Sequence, residues 1–250
     1  MKLARWQYRL SAALLAGALV LYVIRWTVFP GDALHDEMWR FLIGDIAFLL
    51  IQVPLVTFVI DGVIRSRESE EMRRKLNMVI GAFFSETGTD LLGEIARADT
   101  RLVEVCEDFV PEASWDAAKY SDARRLIREH QPAIDLSACD LPRLRASLET
   151  ERPFMLSLLA NQTLLEHETF SDMLWALTHL GEELAARPDL TSLGQADAAH
   201  IAVDLTRAYS LLGVEWLAYL EHLQTAYPFL FSLAVRTNPL DPAASPVISG

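Results

Sequence analysis

Two long apolar stretches at the start of the chain constrain its fold more than any other feature. Residues 10–29 read LSAALLAGALVLYVIRWTVF, and residues 41–60 read FLIGDIAFLLIQVPLVTFVI. A helix of about twenty residues, at roughly 1.5 Å per residue, spans the ~30 Å hydrocarbon layer of a bilayer. The sequence therefore predicts two transmembrane helices that form an N-terminal hairpin over residues 1–61.

A cleaved signal peptide is the alternative interpretation of the first stretch, because Lys2, Arg5 and Arg9 precede it as basic residues precede a signal peptide. Two features disfavour cleavage. The apolar run ends in the bulky sequence RWTVF rather than in small residues, and a second full-length span follows at once. The first stretch is therefore interpreted as a retained anchor.

Basic residues flank the predicted hairpin on one side only. Lys2, Arg5 and Arg9 precede the first span, and five basic residues lie in residues 65–75 after the second. The intervening turn, residues 30–40, contains three acidic residues and one arginine. Because short loops rich in Lys and Arg stay in the cytoplasm, we expect a multi-pass protein of the cell (inner) membrane with both termini cytoplasmic.

Each predicted span contains one charged residue near the outer surface. Arg25 lies four residues before the outer end of the first span, and Asp45 lies four residues after the outer start of the second. In an antiparallel hairpin the two lie at the same depth. They are therefore predicted to form an intramembrane ion pair, unless the Arg25 side chain extends to the membrane surface instead.

Small residues on the first span permit close helix contact. Ala13 and Gly17 are four residues apart, a spacing that lets two helix backbones approach. This face can pack on the second span of the same chain or on a second copy of the protein. A homo-oligomer is therefore one of the partners that the sequence allows.

The rest of the chain follows helical periodicity. Residues 62–87 are predicted to form a helical stalk, because residues 65–75 are almost entirely charged or polar. Apolar residues three and four apart predict a helical bundle domain over residues 88–236. The fold class is therefore all-α: an N-terminal two-helix transmembrane hairpin, followed by a helical stalk and a cytoplasmic helical bundle.

Within the bundle domain, the two longest periodic runs are Pro153–Arg187 and Ala196–Arg236, and we expect Pro228 to kink the second. Residues 237–250 contain three prolines and are predicted to form a flexible tail.

Composition and motifs exclude several function classes. The formal net charge of −12 disfavours nucleic-acid binding, because phosphate backbones are repelled. The two cysteines form no CxxC, which fits a reducing compartment. Phosphate-binding, dinucleotide-binding, GxSxG and HExxH motifs are missing. The sequence specifies no reaction and favours a non-enzymatic protein.

One pattern points to metal chemistry, because a histidine is followed four residues later by an acid on each of the two long helices. Imidazole and carboxylate groups one turn apart on facing helices can hold a divalent metal. The candidate ligands are His179, Glu183, His200, Asp204, Glu215 and His222. They support an alternative function, a metal- or haem-binding helical bundle with redox activity at the membrane. The Glu-x-x-His pairs of di-iron bundles are missing, and such histidine–acid pairs also occur as ordinary exposed contacts.

Glu215 is the most informative single residue, since it lies in the apolar run LLGVEWLAYL. A buried carboxylate is costly unless it is paired. We expect Tyr219 or His222 on the same helix, or Arg207 two turns back, to be its partner. A structural ion pair and a functional site both remain open for this residue.

Taken together, the anchor, the stalk and the missing catalytic motifs favour a membrane-anchored helical protein-interaction module. Such a module serves as an accessory or signalling subunit. Its expected partners are the lipid bilayer and another membrane or cytoplasmic protein, and not nucleic acid.

Overall fold

A computed structural model describes residues 5–28, 34–161, 164 and 167–247 of the protein. The first four residues, the junction of the first predicted span with the predicted outer turn (residues 29–33) and the last three residues of the predicted tail lie outside the described residues. Within the described residues every regular element is a helix, so the all-α prediction is confirmed. One isolated antiparallel bridge pairs Asp99 with Ile134.

The elements follow one another along the chain as helices joined by short connections. They are α1 (Arg5–Val28), α2 (Leu34–Phe83), a π-helical turn (Phe84–Gly88), α3 (Thr89–Ala96), α4 (Leu102–Val105), a 3-10 turn (Cys106–Phe109), α5 (Ala117–Glu129), a second 3-10 turn (Leu136–Ala138), α6 (Leu141–Leu159), α7 (Glu168–Ala185), α8 (Gln195–Ala226) and α9 (Pro228–Arg236). The chain divides into two compact units between Glu71 and Met72, within α2.

In the N-terminal unit, α1 packs antiparallel on α2 through small residues. Ala18 and Ala47 are buried, whereas Ala13 is exposed. A Cβ atom added to Gly17 would lie 3.7 Å from Cδ1 of Leu50. Gly17 therefore faces α2 of the same chain, as the first of the two interpretations has it, while contact of the exposed Ala13 with a second copy stays a prediction.

Within the described residues, one helical stretch is long and apolar enough to cross a membrane by length and composition. It runs over Trp39–Ala96, and its most apolar window has a mean hydropathy of 2.2. Ala12–Val28 forms a shorter apolar helix.

In the C-terminal unit, α8 is the central helix. It packs against α3, α5, α7 and α9. Its buried apolar side chains recur at helical spacing on several faces, because neighbours surround it. These side chains include Ile201, Leu205, Ala208, Tyr209, Leu212, Trp216, Leu217 and Leu220. Burial of each large side chain contributes roughly 1.5–3 kcal/mol to folding.

Side-chain caps fix where three of the helices begin. Asp116 accepts a hydrogen bond from the backbone N–H of Lys119 at the start of α5, and Asp140 accepts one from Arg143 at the start of α6. Nδ1 of His167 accepts one from the N–H of Phe170 at the start of α7. Each cap satisfies a backbone donor that the first helical turn leaves unpaired.

The two longest predicted helices are each divided. The predicted run Pro153–Arg187 is wrong as one element, because α6 ends at Leu159 and α7 begins at Glu168, with Pro153 inside α6. The predicted run Ala196–Arg236 is also wrong. Tyr227 leaves helical geometry with φ −142° and ψ 67°. Pro228 therefore begins α9 rather than kinking a continuous helix, since the first helical position needs no N–H donor.

The predicted flexible tail is wrong at its start, since Asn238 and Leu240 are buried. Nε1–H of Trp216 donates to Oδ1 of Asn238 at 2.9 Å, and Nδ2–H of Asn238 donates to the carbonyl of Phe109 at 3.0 Å. Asn238 therefore connects α8 with the segment that precedes α5. Hydrophobic periodicity does not predict this contact, because a single amide side chain makes it.

Candidate metal centre

Adjacent faces of α7 and α8 bring four of the six predicted ligands together. Nε2 of His200 lies 3.4 Å from Oε2 of Glu183 and 3.5 Å from Oδ2 of Asp204. Nε2 of His179 lies 3.7 Å from the same Asp204 oxygen and 3.9 Å from Oε1 of Glu183. In each helix the histidine and the acid are one turn apart and share a face, so the packing of α7 on α8 produces one cluster.

The cluster is compact enough for a single ion. One ligand atom each from Glu183, His200 and Asp204 can be chosen so that all three lie within 4.8 Å of one another. His179 approaches both carboxylates from the α7 side. We call these four residues the α7–α8 cluster.

Burial differs sharply within the α7–α8 cluster. The Asp204 side chain is 4% exposed, whereas those of His179 and His200 are 47% and 51% exposed. Oδ2 of Asp204 is buried without a hydrogen-bond partner, although it points toward both imidazoles. The cluster therefore has a buried Asp204 side chain on its inner side and two imidazoles on its outer side that solvent can reach.

Two arginines hold the carboxylates of the cluster. Nη1–H of Arg187 donates to Oε2 of Glu183 at 2.8 Å, and its Nη2–H donates to Asp197 at 2.6 Å. These hydrogen bonds hold the pKa values of Glu183 and Asp197 below their usual range. Nη1–H of Arg207 donates to Oδ1 of Asp204 at 3.2 Å. Arg187 and Arg207 thereby fix the orientations of the Glu183 and Asp204 side chains.

The role of Arg187 was missed in the sequence, although a signal existed. Glu183 and Arg187 are four residues apart in the order that favours an ion pair on a helix. The contact of Arg187 with Asp197 joins the end of α7 to the start of α8, and only the tertiary structure shows it.

Glu215 and His222 lie apart from the α7–α8 cluster. They follow Asp204 on α8 by 11 and 18 residues. At 1.5 Å per residue these intervals correspond to roughly 16 Å and 27 Å along the helix axis. Neither side chain can ligate an ion held by Asp204, so the six predicted ligands do not form one site.

Glu215 is buried, with 2% of its surface exposed. Burial raises the pKa of this carboxyl group, while hydrogen bonding from Thr169 and the charge of His167 act in the opposite direction. Its Oε2 has no hydrogen-bond partner. The expected partners Tyr219, His222 and Arg207 were wrong, because the groups that act on Glu215 come mainly from the start of α7 and from α5.

His222 contacts the chain near the end of α2. Its Nδ1 lies 3.1 Å from Nδ2 of Asn77, and its ring packs edge-on against Tyr227. Burial lowers the pKa of His222. These contacts make His222 a packing residue at the end of α8.

The structure does not bring Arg25 and Asp45 into an ion pair. The Arg25 guanidinium group lies over Gly44, where an added Cβ would overlap its Nη1. Asp45, the next residue, is exposed. Among the described side chains no salt bridge joins Arg25 to Asp45. Gly44 leaves room for the Arg25 side chain beside α2.

A buried Asp99–His130 pair was not anticipated from the sequence. Nε2 of His130 lies 2.6 Å from Oδ2 of Asp99, and both side chains are almost fully buried. Oδ1 of Asp99 accepts from the backbone N–H groups of Arg101 and Ala133. Because both Asp99 oxygens have partners, this pair holds two loops together.

These features define an all-α protein with a smaller N-terminal helical unit and a larger C-terminal helical unit that contains a candidate metal centre. The chain belongs to the family of the protein MJ1433, whose N-terminal helical domain matches residues 1–64 and whose C-terminal helical domain matches residues 72–236.

The relative described as "Uncharacterized protein MJ1433", from Methanocaldococcus jannaschii, is 34% identical to this chain over 238 residues. The match covers 95% of this chain and 94% of the relative. No solved structure matches the chain.

Proposed function

We propose that this protein is a membrane-anchored helical interaction module. Its first two helices form a transmembrane hairpin with spans near residues 10–29 and 41–60. Both termini lie in the cytoplasm, and the C-terminal unit binds a partner protein as an accessory or signalling subunit.

The main support for a membrane anchor is the exposure of large apolar side chains on α1 and α2. Of the large apolar side chains that are exposed in the described residues, 22 lie between Leu15 and Ile64 and 10 lie in the C-terminal unit. The hairpin buries small residues such as Ala18 and Ala47 between its helices and turns its large ones outward. Soluble proteins rarely expose such continuous apolar surface, whereas a bilayer solvates it.

Charge at the ends of the hairpin supports the orientation. Basic residues precede the first span and follow the second, and the outer turn is acidic. An outer turn this short is too small for a folded external domain, which supports an interaction on the cytoplasmic side.

Reporter fusions test the anchor. We expect a reporter at Gly250 to be active in the cytoplasm and a reporter inserted after Asp36 to be active outside, with the protein resistant to alkaline extraction of membranes. A chain released by alkaline extraction would refute the anchor. An outside signal from the Gly250 fusion would refute the orientation.

The outer face of α9 supports an interaction with a protein. Phe229 is 73% exposed, and Leu230 and Leu233 on the same helix are also exposed, whereas Phe231 packs into the core. Helices that bind lipid surfaces carry several Lys or Arg residues on their polar face. Arg236 is the one basic residue of α9. This face therefore fits an apolar protein surface better than a membrane surface.

Site-specific photo-crosslinking in membranes of the host cell tests this surface. We expect a crosslinking residue at Phe229 to give a discrete protein adduct, and the same residue at exposed Ala185 on α7 to give none. Leu233→Ser should weaken the adduct several-fold, because it removes apolar contact area. An adduct with twice the mass of the chain would identify a second copy as the partner. Equal adducts at both positions, or adducts with lipid alone, would refute the interaction.

A further inference from the structure

We propose that the α7–α8 cluster binds one divalent first-row transition-metal ion of the zinc class through His179, Glu183, His200 and Asp204. All four ligands belong to the C-terminal unit, so the site is independent of the membrane anchor. The ion would join α7 to α8 at their exposed edge.

The spacing of Glu183, His200 and Asp204 is close to the coordination shell of such an ion, since one ligand atom of each can be chosen within 4.8 Å of the other two. With bonds of about 2.0–2.1 Å to nitrogen and oxygen, a tetrahedral zinc site has ligand atoms roughly 3.3–3.4 Å apart. His200 lies 3.4 Å and 3.5 Å from the two carboxylates, and His179 lies 3.7 Å and 3.9 Å from them. His179 lies farther from the carboxylates than His200 does, and rotation of its half-exposed imidazole would bring it to the same ion as the fourth ligand.

Asp204 provides an independent indication of a bound cation. Its side chain is 4% exposed, and Oδ2 has no hydrogen-bond donor. A buried carboxylate oxygen without a donor is costly. A cation in front of both imidazoles would contact this oxygen directly. An ordinary histidine–acid pair on a protein surface does not need a carboxylate as buried as that of Asp204.

The two arginines orient the carboxylates for this role. Arg207 donates to Oδ1 of Asp204 and leaves Oδ2 facing the imidazoles. Arg187 donates to Oε2 of Glu183, the oxygen that lies 3.4 Å from His200, and Oε1 lies on the His179 side. Ligating carboxylates in metal sites are themselves held by such outer hydrogen bonds, which fix their direction.

The donor set selects the class of ion. Two imidazole nitrogens with two carboxylate oxygens suit zinc and its first-row neighbours, whereas Mg²⁺ and Ca²⁺ prefer all-oxygen shells. We therefore expect Zn²⁺ and Co²⁺ to bind and Mg²⁺ not to compete. The competing explanation is that the four side chains contact one another directly, in which case the protein would bind no metal.

Metal titration of the purified full-length protein in detergent tests the proposal. After treatment with a chelator, we expect the wild type to bind about one Zn²⁺ per chain, measured by elemental analysis and calorimetry. Bound Zn²⁺ should raise Tm by several degrees, because it binds the folded state only. Co²⁺ in the same site should give the visible absorption of a tetrahedral ion.

Matched variants identify the ligands. His200→Ala and Asp204→Asn should each lower Zn²⁺ affinity at least about tenfold. His222→Ala on the same helix, and Glu182→Gln beside Glu183, should bind Zn²⁺ like the wild type. His200 is half exposed, so its truncation leaves the fold intact and keeps the test valid if Asp204→Asn unfolds. The proposal would be overturned if the wild type bound no Zn²⁺, or if His200→Ala and His222→Ala lowered the Zn²⁺ affinity equally.

Discussion

The ionised form of Glu215 is expected to destabilise the C-terminal unit near neutral pH. The side chain is 2% exposed, and Oε2 has no hydrogen-bond donor. Burial raises the pKa of this carboxyl group above its ordinary value of 4.5. Glu215→Gln keeps the size and shape of the side chain and removes its ionisation. We therefore expect this variant to gain stability relative to the wild type as the pH rises.

The size of the gain follows from proton linkage. Between pH 4.5 and the raised pKa, the folded state retains a proton on Glu215 that the unfolded chain has lost. Wild-type stability then falls as the pH rises through this window, by up to about 1.4 kcal/mol per pH unit. The loss ends once the pH passes the folded pKa. Below pH 4.5 both states are protonated, so no such loss occurs.

Urea unfolding of the full chain in detergent, followed by circular dichroism from about pH 4 to pH 8, measures this difference. The wild type is compared with Glu215→Gln at each pH, so that contributions from other groups cancel. Glu182→Gln on the exposed side of α7 is the matched control, and loss of its exposed ion pair with Arg152 should change stability little. A constant difference between wild type and Glu215→Gln would refute the raised pKa.

Two further substitutions test the packing of α8. Gly213→Ala should destabilise the unit by about 1–3 kcal/mol in urea unfolding, because the added Cβ would overlap the buried Ile127 side chain. Asn238→Ala should cost about 1–3 kcal/mol for each buried group it leaves unpaired, namely Nε1–H of Trp216, the carbonyl of Phe109 and the backbone N–H of Leu240. Near-UV circular dichroism should also report a changed Trp216 environment in the second variant.

Each of these two substitutions has a control in the same unit. Gly81→Ala places a Cβ at an ordinary 3.5 Å from the Tyr219 ring. Because alanine has a higher helix propensity than glycine, we expect no net loss of stability. Thr237→Ala changes the exposed neighbour of Asn238. If Gly81→Ala destabilised the protein as much as Gly213→Ala, close packing at Gly213 would not explain the effect. If Thr237→Ala destabilised it as much as Asn238→Ala, the buried amide of Asn238 would not explain the effect.

Local sequence patterns predicted the helical fold and the faces of the candidate site. The His-x3-acid spacing of His179 with Glu183, and of His200 with Asp204, fixes one face on each helix, because residues four apart are neighbours on a helix surface. The apolar runs at residues 10–29 and 41–60 likewise predicted helices from length and composition alone, and the membrane they imply stays a prediction.

Contacts between distant residues were decided only by the tertiary structure. Periodicity assigned Glu215 and His222 to the same helix as Asp204, but helical rise separates them by more than a metal site can span. Sequence patterns treated residues from 237 onward as a tail, whereas the amide of Asn238 finds a donor on Trp216 and an acceptor on Phe109. Periodicity reports which residues share a face. Packing between distant parts of the chain decides which faces meet and which buried polar groups gain a partner. No short segment of the sequence contains that information.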